Sequence, residues 1–346
     1  TSTGMILRSG LLKTIGAAVA LAGAAVVPMG GANAQSVNFE ATFDNTFGTQ
    51  PRAPQDFSAV YDNNLERKIA MLADGERGRI GVAAIDLATG AQVSVLGDQR
   101  FPMASTSKIA IAATFMEGVE QGRWTLSSEF PLMIPVRSAK YSSRIAPVKR
   151  GAYLPASELI ELMITRSSNP ATDALLAVVG GPNAVNEWTR RAGIREFRLD
   201  RDIATLVRDD GEFDPASHID ERDSASPQAM IDLLAGLYQG KFLSDSSRRV
   251  ILGAMERCRT GKRRIPALLP ANAQVAHKTG SLNNTSSDIG IIEAPDGRAI
   301  AVAIYVTGQG SRGAREARIA EIARALYEGY AKSAPQNWAN ATYNGG

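Results

Sequence analysis

With 346 residues, 44% of them hydrophobic and 21% charged, the chain can bury the core of one large domain or two lobes, and it is too apolar for a disordered polymer. The formal charge is only +3, and the Lys and Arg residues are scattered and not interleaved with aromatics, which excludes a counterion-release surface for nucleic acid. One cysteine, Cys258, forbids an internal disulfide, and two histidines leave few soft metal ligands, so neither a metal nor another cofactor is expected.

In chain order, Met5 reads as the natural start, Arg8 and Lys13 form a positive n-region, and TIGAAVALAGAAVVPMG is the apolar run. The sequence ANA at 32–34 then offers a small-x-small cleavage site before Gln35. The apolar core from Ile15 to Val27 is short and rich in Ala and Gly. Residues 1–34 are therefore expected to be a signal peptide and not a membrane anchor, which implies a periplasmic or secreted protein with no membrane span after cleavage. Residues 35–57, polar with Gly48, Pro51 and Pro54 and no periodicity, are expected to be a flexible leader, and 333–346 a flexible tail. That leaves 58–332 for the folded domain.

Between 60 and 74, Leu65, Ile69 and Leu72 recur at helical spacing and predict a first helix. RIGVAAIDL and QVSVLG predict two strands joined by ATG, whose Gly90 suits a tight hairpin. The stretch 104–256 is almost free of strand patterns. It carries amphipathic helices, most clearly the pair in SELIELMITRSSNPATDALLAVVG and the Ser-Pro start of SPQAMIDLLAGLYQG. AQVAHKTG, SDIGIIEA and AIAVAIYVTG predict three more strands, the last two linked by the turn PDGR. A closing helix over 313–331 sets Ile319, Ile322, Ala323 and Leu326 on one side. The expected fold class is α/β in the α+β sense: a five-stranded antiparallel sheet built from both chain ends (58–103 and 257–332), flanked by N- and C-terminal helices. An all-helical lobe (104–256) is inserted, with the site in the cleft between the lobes.

Three short motifs would meet there. In FPMASTSK, Ser105 and Lys108 are i and i+3 at a helix start and so share a face. An N-cap serine with a solvent-facing lysine is one reading. The other is a nucleophile and its base, since a serine hydroxyl needs a proton acceptor, burial beside a second cation would lower the lysine pKa, and a helix N-terminus favours an alkoxide. Ser167-Ser168-Asn169 lies in a turn between two helices. It reads either as a cap before Pro170, or as Ser167 passing a proton to a leaving nitrogen while Asn169 bonds a substrate carbonyl and Lys108. Lys278-Thr279-Gly280 ends a strand, where alternation puts Lys278 and Gly280 on one side and His277 and Thr279 on the other. Lys278 would meet a substrate carboxylate. Gly280 would let a flat substrate approach, and the N–H groups of Ser281 and Ser105 would form an oxyanion hole.

Together, in this order, the motifs resemble the signature of serine β-lactamases and penicillin-binding proteins. The chain is similar to class A β-lactamases in particular over most of 60–331, through RIGVAAIDLATG, RFPMASTSK, ELMITRSSNPATDALL, RDSASPQAM, TGKRRIPALLP, VAHKTGS and SDIGII. The resemblance implies a β-lactamase/transpeptidase-like catalytic domain, the roles just given, and Arg264 as a second carboxylate-binding cation, which reads otherwise as a plain surface arginine in GKRRI. It implies a monomer acting on a small β-lactam or a D-Ala-D-Ala peptide. It also implies an ion pair of Arg201 with Asp223 holding the loop between the helical motifs and the last strands. That loop is longer than the family's usual one, and where the family has the glutamate that activates the deacylating water this chain has Ile203. Asp210, counted back from Arg222, and Glu212 are the candidate replacements, in a run that also contains Asp209 and Asp214 and reads equally as a solvated acidic loop. A serine stands at 168 where the family usually has aspartate.

The expected function is therefore a β-lactamase working through a Ser105 acyl-enzyme. The alternatives are a D-alanyl-D-alanine carboxypeptidase or penicillin-binding-type protein that acylates and lingers, and a non-catalytic cell-wall or lactam-binding protein. A conventional esterase triad is disfavoured: there is no G-x-S-x-G elbow, His218 lies in the variable loop, and His277 adjoins Lys278 on the opposite strand face. Tyr141 reads as a residue of the cleft mouth or an ordinary surface aromatic, and Cys258 as a small buried filler.

Overall fold

The structure, a computed structural model, describes residues 63–333. The expected signal peptide, the leader and the tail beyond 333 lie outside the described residues. Helix α1 (Asn64–Leu72) starts where the Asn63 side chain accepts the Glu66 N–H at 2.8 Å, and it buries Ile69. Strands β1 (Ile80–Asp86), β2 (Gln92–Val95) and the short β3 (Phe101–Pro102) follow, then a 3₁₀ turn (Ala104–Ser107) that runs directly into α2 (Lys108–Glu120). A hairpin of β4 (Glu129–Pro135) and β5 (Val148–Pro155) precedes α3 (Ala156–Thr165), α4 (Asn169–Val179) and α5 (Pro182–Arg191). Next come β6 (Phe197–Arg198), α6 (Ile203–Arg208), β7 (Ser224–Ala225), α7 (Pro227–Gln239), α8 (Asp245–Glu256) and a 3₁₀ turn (Ile265–Leu268). The chain returns as β8 (Gln274–Leu282), β9 (Thr285–Glu293) and β10 (Ala299–Thr307) before α9 (Arg312–Ser333).

The main sheet has the order β2-β1-β10-β9-β8 with every pair antiparallel, as expected from strands at both ends of the chain. Alternation along β10 divides the core. Ile300, Val302, Ile304 and Val306 face Ile319, Ile322 and Leu326 of α9, whereas Ala301, Ala303 and Tyr305 face the helical side with Phe101, Ile109 and Leu233. Because both faces are covered, β9 and β10 are buried almost throughout; β10 reads as a continuous apolar run, whereas β9 opens with the buried polar residues Thr285, Ser286, Ser287 and Asp288. The β4–β5 hairpin departs from the expected all-helical insertion. Pro131, Pro135 and Pro155 break its pattern, its residues are mostly half-buried or exposed, and its ladder slips between Pro131 and Met133. A two-stranded ribbon tolerates proline because each strand has a free edge, so the strand signal is weak.

Behind β8, His277 Nδ1 lies 2.9 and 3.0 Å from the Asp288 carboxylate oxygens, and both residues are buried. Burial alone disfavours the imidazolium, but the charge and hydrogen bond of Asp288, with a further bond to Cys258, push His277 up to about 10. A pKa above the ordinary 6.5 means this contribution to stability is complete below pH 6.5 and is lost as pH rises through about 10. Asp288→Asn is accordingly expected to destabilise the fold by ~3–5 kcal/mol at pH 6, by leaving a buried cation without its counter-charge. Denaturant melts at pH 6 and pH 10 check this; the deficit should shrink at the higher pH.

Candidate active site

The 3₁₀ turn places Ser105 one turn ahead of Lys108, and neither Met103 nor Ser107, which precede the two helical segments, makes a side-chain cap. Ser105 is half-buried, while Lys108 is completely enclosed. Ala104 sits at φ 49°, a strained position for a residue with a Cβ, directly before the serine. Strand β8 packs against this turn. A Cβ on Gly280 would meet the Met103 carbonyl oxygen at 2.7 Å and Ser287 Oγ at 2.4 Å, so glycine is required by the protein's own backbone contact.

Ser167 joins the two lysines. It lies between α3 and α4 at φ 57°, and that turn aims both its carbonyl and its hydroxyl at Lys108 Nζ, at 2.9 and 3.2 Å. Lys108 Nζ also donates to Asn169 Oδ1 at 2.8 Å, and Lys278 Nζ donates to the same Ser167 hydroxyl at 3.0 Å. Ser168 caps α4 through Ala171 N–H, a local role that serine fills as well as aspartate.

Two buried ammonium groups around one hydroxyl do not both remain ordinary lysines. Burial, then the charge of Lys278, lowers Lys108 well below the usual lysine value, against a weaker opposing pull from Asp173. Burial also brings Lys278 down to about 8, with Arg264 adding repulsion against the attraction of Cys258 and Asp288. A lysine shifted this way can accept a proton near neutral pH.

The remaining expected residues divide. Thr279 turns its hydroxyl to Thr260, at 2.6 Å, and Thr260 in turn bonds the half-buried Cys258 thiol. Ser281 is exposed and receives Arg264 Nη2 at 2.7 Å. Arg264 itself does not reach solvent: it is 1% exposed, donates to the Gly280 and Ser287 carbonyls at 2.8 and 2.7 Å, and pairs with Glu316 at 3.2 Å. Arg264, expected as a second carboxylate-binding cation, stands as a buried arginine that holds Ser281 and the end of β8.

Arg201 and Asp223 form the expected ion pair at 2.6 Å. Ile203 opens α6 with its side chain buried. Asp210 Oδ2 accepts Asn283 N–H at 2.8 Å, and Glu212 Oε2 pairs with Arg222 at 2.7 Å, so neither carboxylate is bonded to Lys108, Ser167 or Lys278. His218 stacks on Phe213, away from any serine partner.

One carboxylate near the lysines escaped the sequence reading. Asp173 follows Asn169 by one turn of α4 and accepts Ile203 and Ala204 N–H at 2.7 and 2.9 Å, which ties the start of α6 to α4. Burial, helped by the charge of Asp202, raises it to about 7, against the two N–H bonds and the attraction of Lys108. Its i+4 spacing from Asn169 was the available signal.

A hydroxyl one turn before a buried low-pKa lysine, with a second hydroxyl shared by two lysines, defines an active-site-serine hydrolase on a sheet-and-helix scaffold. A family profile described as the β-lactamase enzyme family matches residues 64–330. The chain is 32% identical over 273 residues to the β-lactamase CTX-M-8 of Citrobacter amalonaticus, covering 78% of this chain and 90% of that protein. It is 28% identical to the extended-spectrum β-lactamase PER-1 of Pseudomonas aeruginosa, covering 76% and 86%. Among solved structures, a β-lactamase from Chitinophaga pinensis superposes with TM-score 0.68 at 27% identity, covering 78% of this chain and all of that one. A variant of the class A β-lactamase of the last common ancestor of Gram-negative bacteria does so at 0.66 and 34%, with the same coverage. The chain belongs to the class A β-lactamase family.

Proposed function

We propose that the protein is a serine β-lactamase that opens the lactam amide through an ester on Ser105. The observation that carries the reading is the Ser167 hydroxyl held 3.2 Å from Lys108 Nζ and 3.0 Å from Lys278 Nζ. Neutral Lys108 takes the Ser105 proton, Ser105 Oγ bonds to the lactam carbonyl carbon, and the N–H groups of Ser105 and Ser281 hold the oxyanion. As the C–N bond breaks, Ser167 gives its proton to the nitrogen and is reprotonated from Lys108. Lys278, Thr279 and Ser281, the last held by Arg264, receive the substrate carboxylate, and Asn169 bonds the substrate amide carbonyl. Water then cleaves the ester.

Mixing the protein with a chromogenic cephalosporin while following colour and intact mass tests this. Sustained colour release is expected. A second reading, stoichiometric acylation with a persistent mass gain, is favoured by Ile203 at the start of α6 and by the engagement of Asp210 and Glu212 with Asn283 and Arg222. Absence of any adduct would leave only a lactam-binding role and overturn both. The site of action is proposed to be outside the cytoplasmic membrane, as a monomer released by cleavage after Ala34. The charged start, apolar run and ANA sequence support this, and the N-terminal mass of the exported protein checks it.

A further inference from the structure

Thr279 is held from behind before any substrate meets it. It is 6% exposed on β8, the edge strand of the main sheet. Its methyl group packs against Gly261, where a Cβ would lie 2.3 Å from Thr279 Cγ2 and 3.6 Å from His277 Cε1. Gly261 has φ 71°, so both the space and the backbone call for glycine. With one branch of Thr279 fixed there, the other branch, Oγ1, is kept on Thr260 Oγ1 at 2.6 Å. Thr260 Oγ1 lies in turn 3.4 Å from Cys258 Sγ.

Each threonine has one hydroxyl proton to give, and two oxygens 2.6 Å apart need one proton between them. If Thr260 gives its proton to Thr279, the Thr279 proton is free for the substrate carboxylate. If Thr279 gives its proton to Thr260, only lone pairs face that carboxylate and the contact is repulsive. Cys258 decides between the two. A neutral thiol can donate, to Thr260 Oγ1 or to the Thr260 carbonyl at 3.7 Å, and leaves the Thr260 proton for Thr279. A thiolate only accepts, so it takes the Thr260 proton as a hydrogen bond and Thr279 must donate backwards.

The thiolate is within reach because of what surrounds it. Burial disfavours it, but the hydrogen bond and charge of His277, then the bonds to Thr260, bring Cys258 below the ordinary thiol value. His277 is kept charged by Asp288 of β9, 2.9 Å away. Lys278 of β8 and, beyond it, Arg264 add positive charge on the sheet side. Glu256, Arg257 and Arg259 flank the cysteine in the chain, with Arg257 paired to Glu161 of α3 at 2.7 Å.

We propose that Thr260 and Cys258 are positioning residues for the substrate carboxylate: with the thiol neutral, Thr260 leaves the Thr279 hydroxyl outward as a donor, and with the thiolate it withdraws that donor. The role rests on the lactam-hydrolase reading. Loss of the Cys258 proton then weakens lactam binding and leaves the bond-breaking groups alone. By reciprocity, a bound carboxylate holds the proton on Cys258.

Cys258 is the one cysteine in the chain, so the ultraviolet thiolate absorbance that Cys258→Ser lacks titrates it alone. Affinity for a cephalosporin is measured by calorimetry across the same pH range in the Ser105→Ala background, where no ester forms, and kcat is measured with Ser105 present. Kd is expected to rise at least ~10-fold along the thiolate titration, the loss of one hydrogen bond between a hydroxyl and a charged group. Lys278, brought down to about 8, weakens binding over part of that range, and its limb stays in every variant. Cys258→Ser keeps its hydroxyl proton and Thr260→Val frees the Thr279 proton, so each should retain the Lys278 limb alone. The methyl ester of the same lactam should lack the thiolate-linked step, and kcat of Cys258→Ser should stay within about twofold of wild type.

If Thr260→Val fails to fold, Cys258→Ser carries the comparison. Identical Kd profiles in all three proteins overturn the proposal, as does uniform weakening at every pH in the variants, the mark of a merely structural bond. A kcat that falls with the thiolate while Kd stays flat overturns it too. Absence of ester on Ser105 removes the hydrolase reading and not the relay, which the Kd measurements judge separately. A Ser105→Ala protein that binds no lactam at any pH overturns the carboxylate role itself.

Discussion

Ser105→Ala is expected to lower lactam hydrolysis by ~10⁴–10⁶-fold and to eliminate any covalent adduct in intact mass spectra. The loss is large because the nucleophile, its base and the proton shuttle act as a unit, and a methyl group forms no ester. Binding should survive, since Lys278, Thr279 and Ser281 are unchanged and Ser105 caps no helix end. Fold stability should move by no more than ~1 kcal/mol, because the side chain is half-buried and only one oxygen is removed. Unchanged hydrolysis in the alanine variant, measured in the same colour assay, would place the nucleophile elsewhere.

Lys108→Met carries the second large expectation, and its two readouts separate chemistry from folding. Acylation should fall by ~10²–10⁴-fold, the usual contribution of a positioned base. Wild-type acylation should rise with pH as Lys108 loses its proton, and the methionine variant should lack that limb. Stability should not fall. Lys108 is wholly buried beside Lys278, and its pKa lies below that of a free lysine, so the unfolded chain binds its proton more readily at every pH below 10.5. That difference opposes folding at pH 7, and a methionine of similar length has no proton to give up. Neutral or improved thermal stability with lost acylation is therefore the predicted pair. A strongly destabilised variant would instead show that the bonds to Ser167 and Asn169 hold the fold together.

Both effects trace to residues legible without coordinates. Ser105 and Lys108 share a face through helical spacing alone, and Ser167, Asn169, Lys278 and Gly280 were identifiable because each sits in a tripeptide at or near the boundary of a recognisable element, although β8 runs on past Gly280 to Leu282. The five main strands and the flanking helices were equally readable, since their apolar runs are bounded by Gly-, Asp- and Asn-containing turns. The β4–β5 hairpin was not, because its prolines and half-exposed faces erase the period-two pattern.

What the sequence determined by itself is thus the local chemistry: which side chains can attack, accept or carry a proton, and which short segments present them. Only the tertiary structure decided which of those groups meet and in what charge state. Arg264 turned out to be sealed against Glu316 and the β8 backbone, Asp173 to stand beneath the loop near Lys108, and Asp210 to bond Asn283 and not the lysines. The reason is physical. Helix and strand geometry is set by near neighbours, whereas burial, charge coupling and hydrogen-bond partners depend on groups that come together only when the whole chain closes.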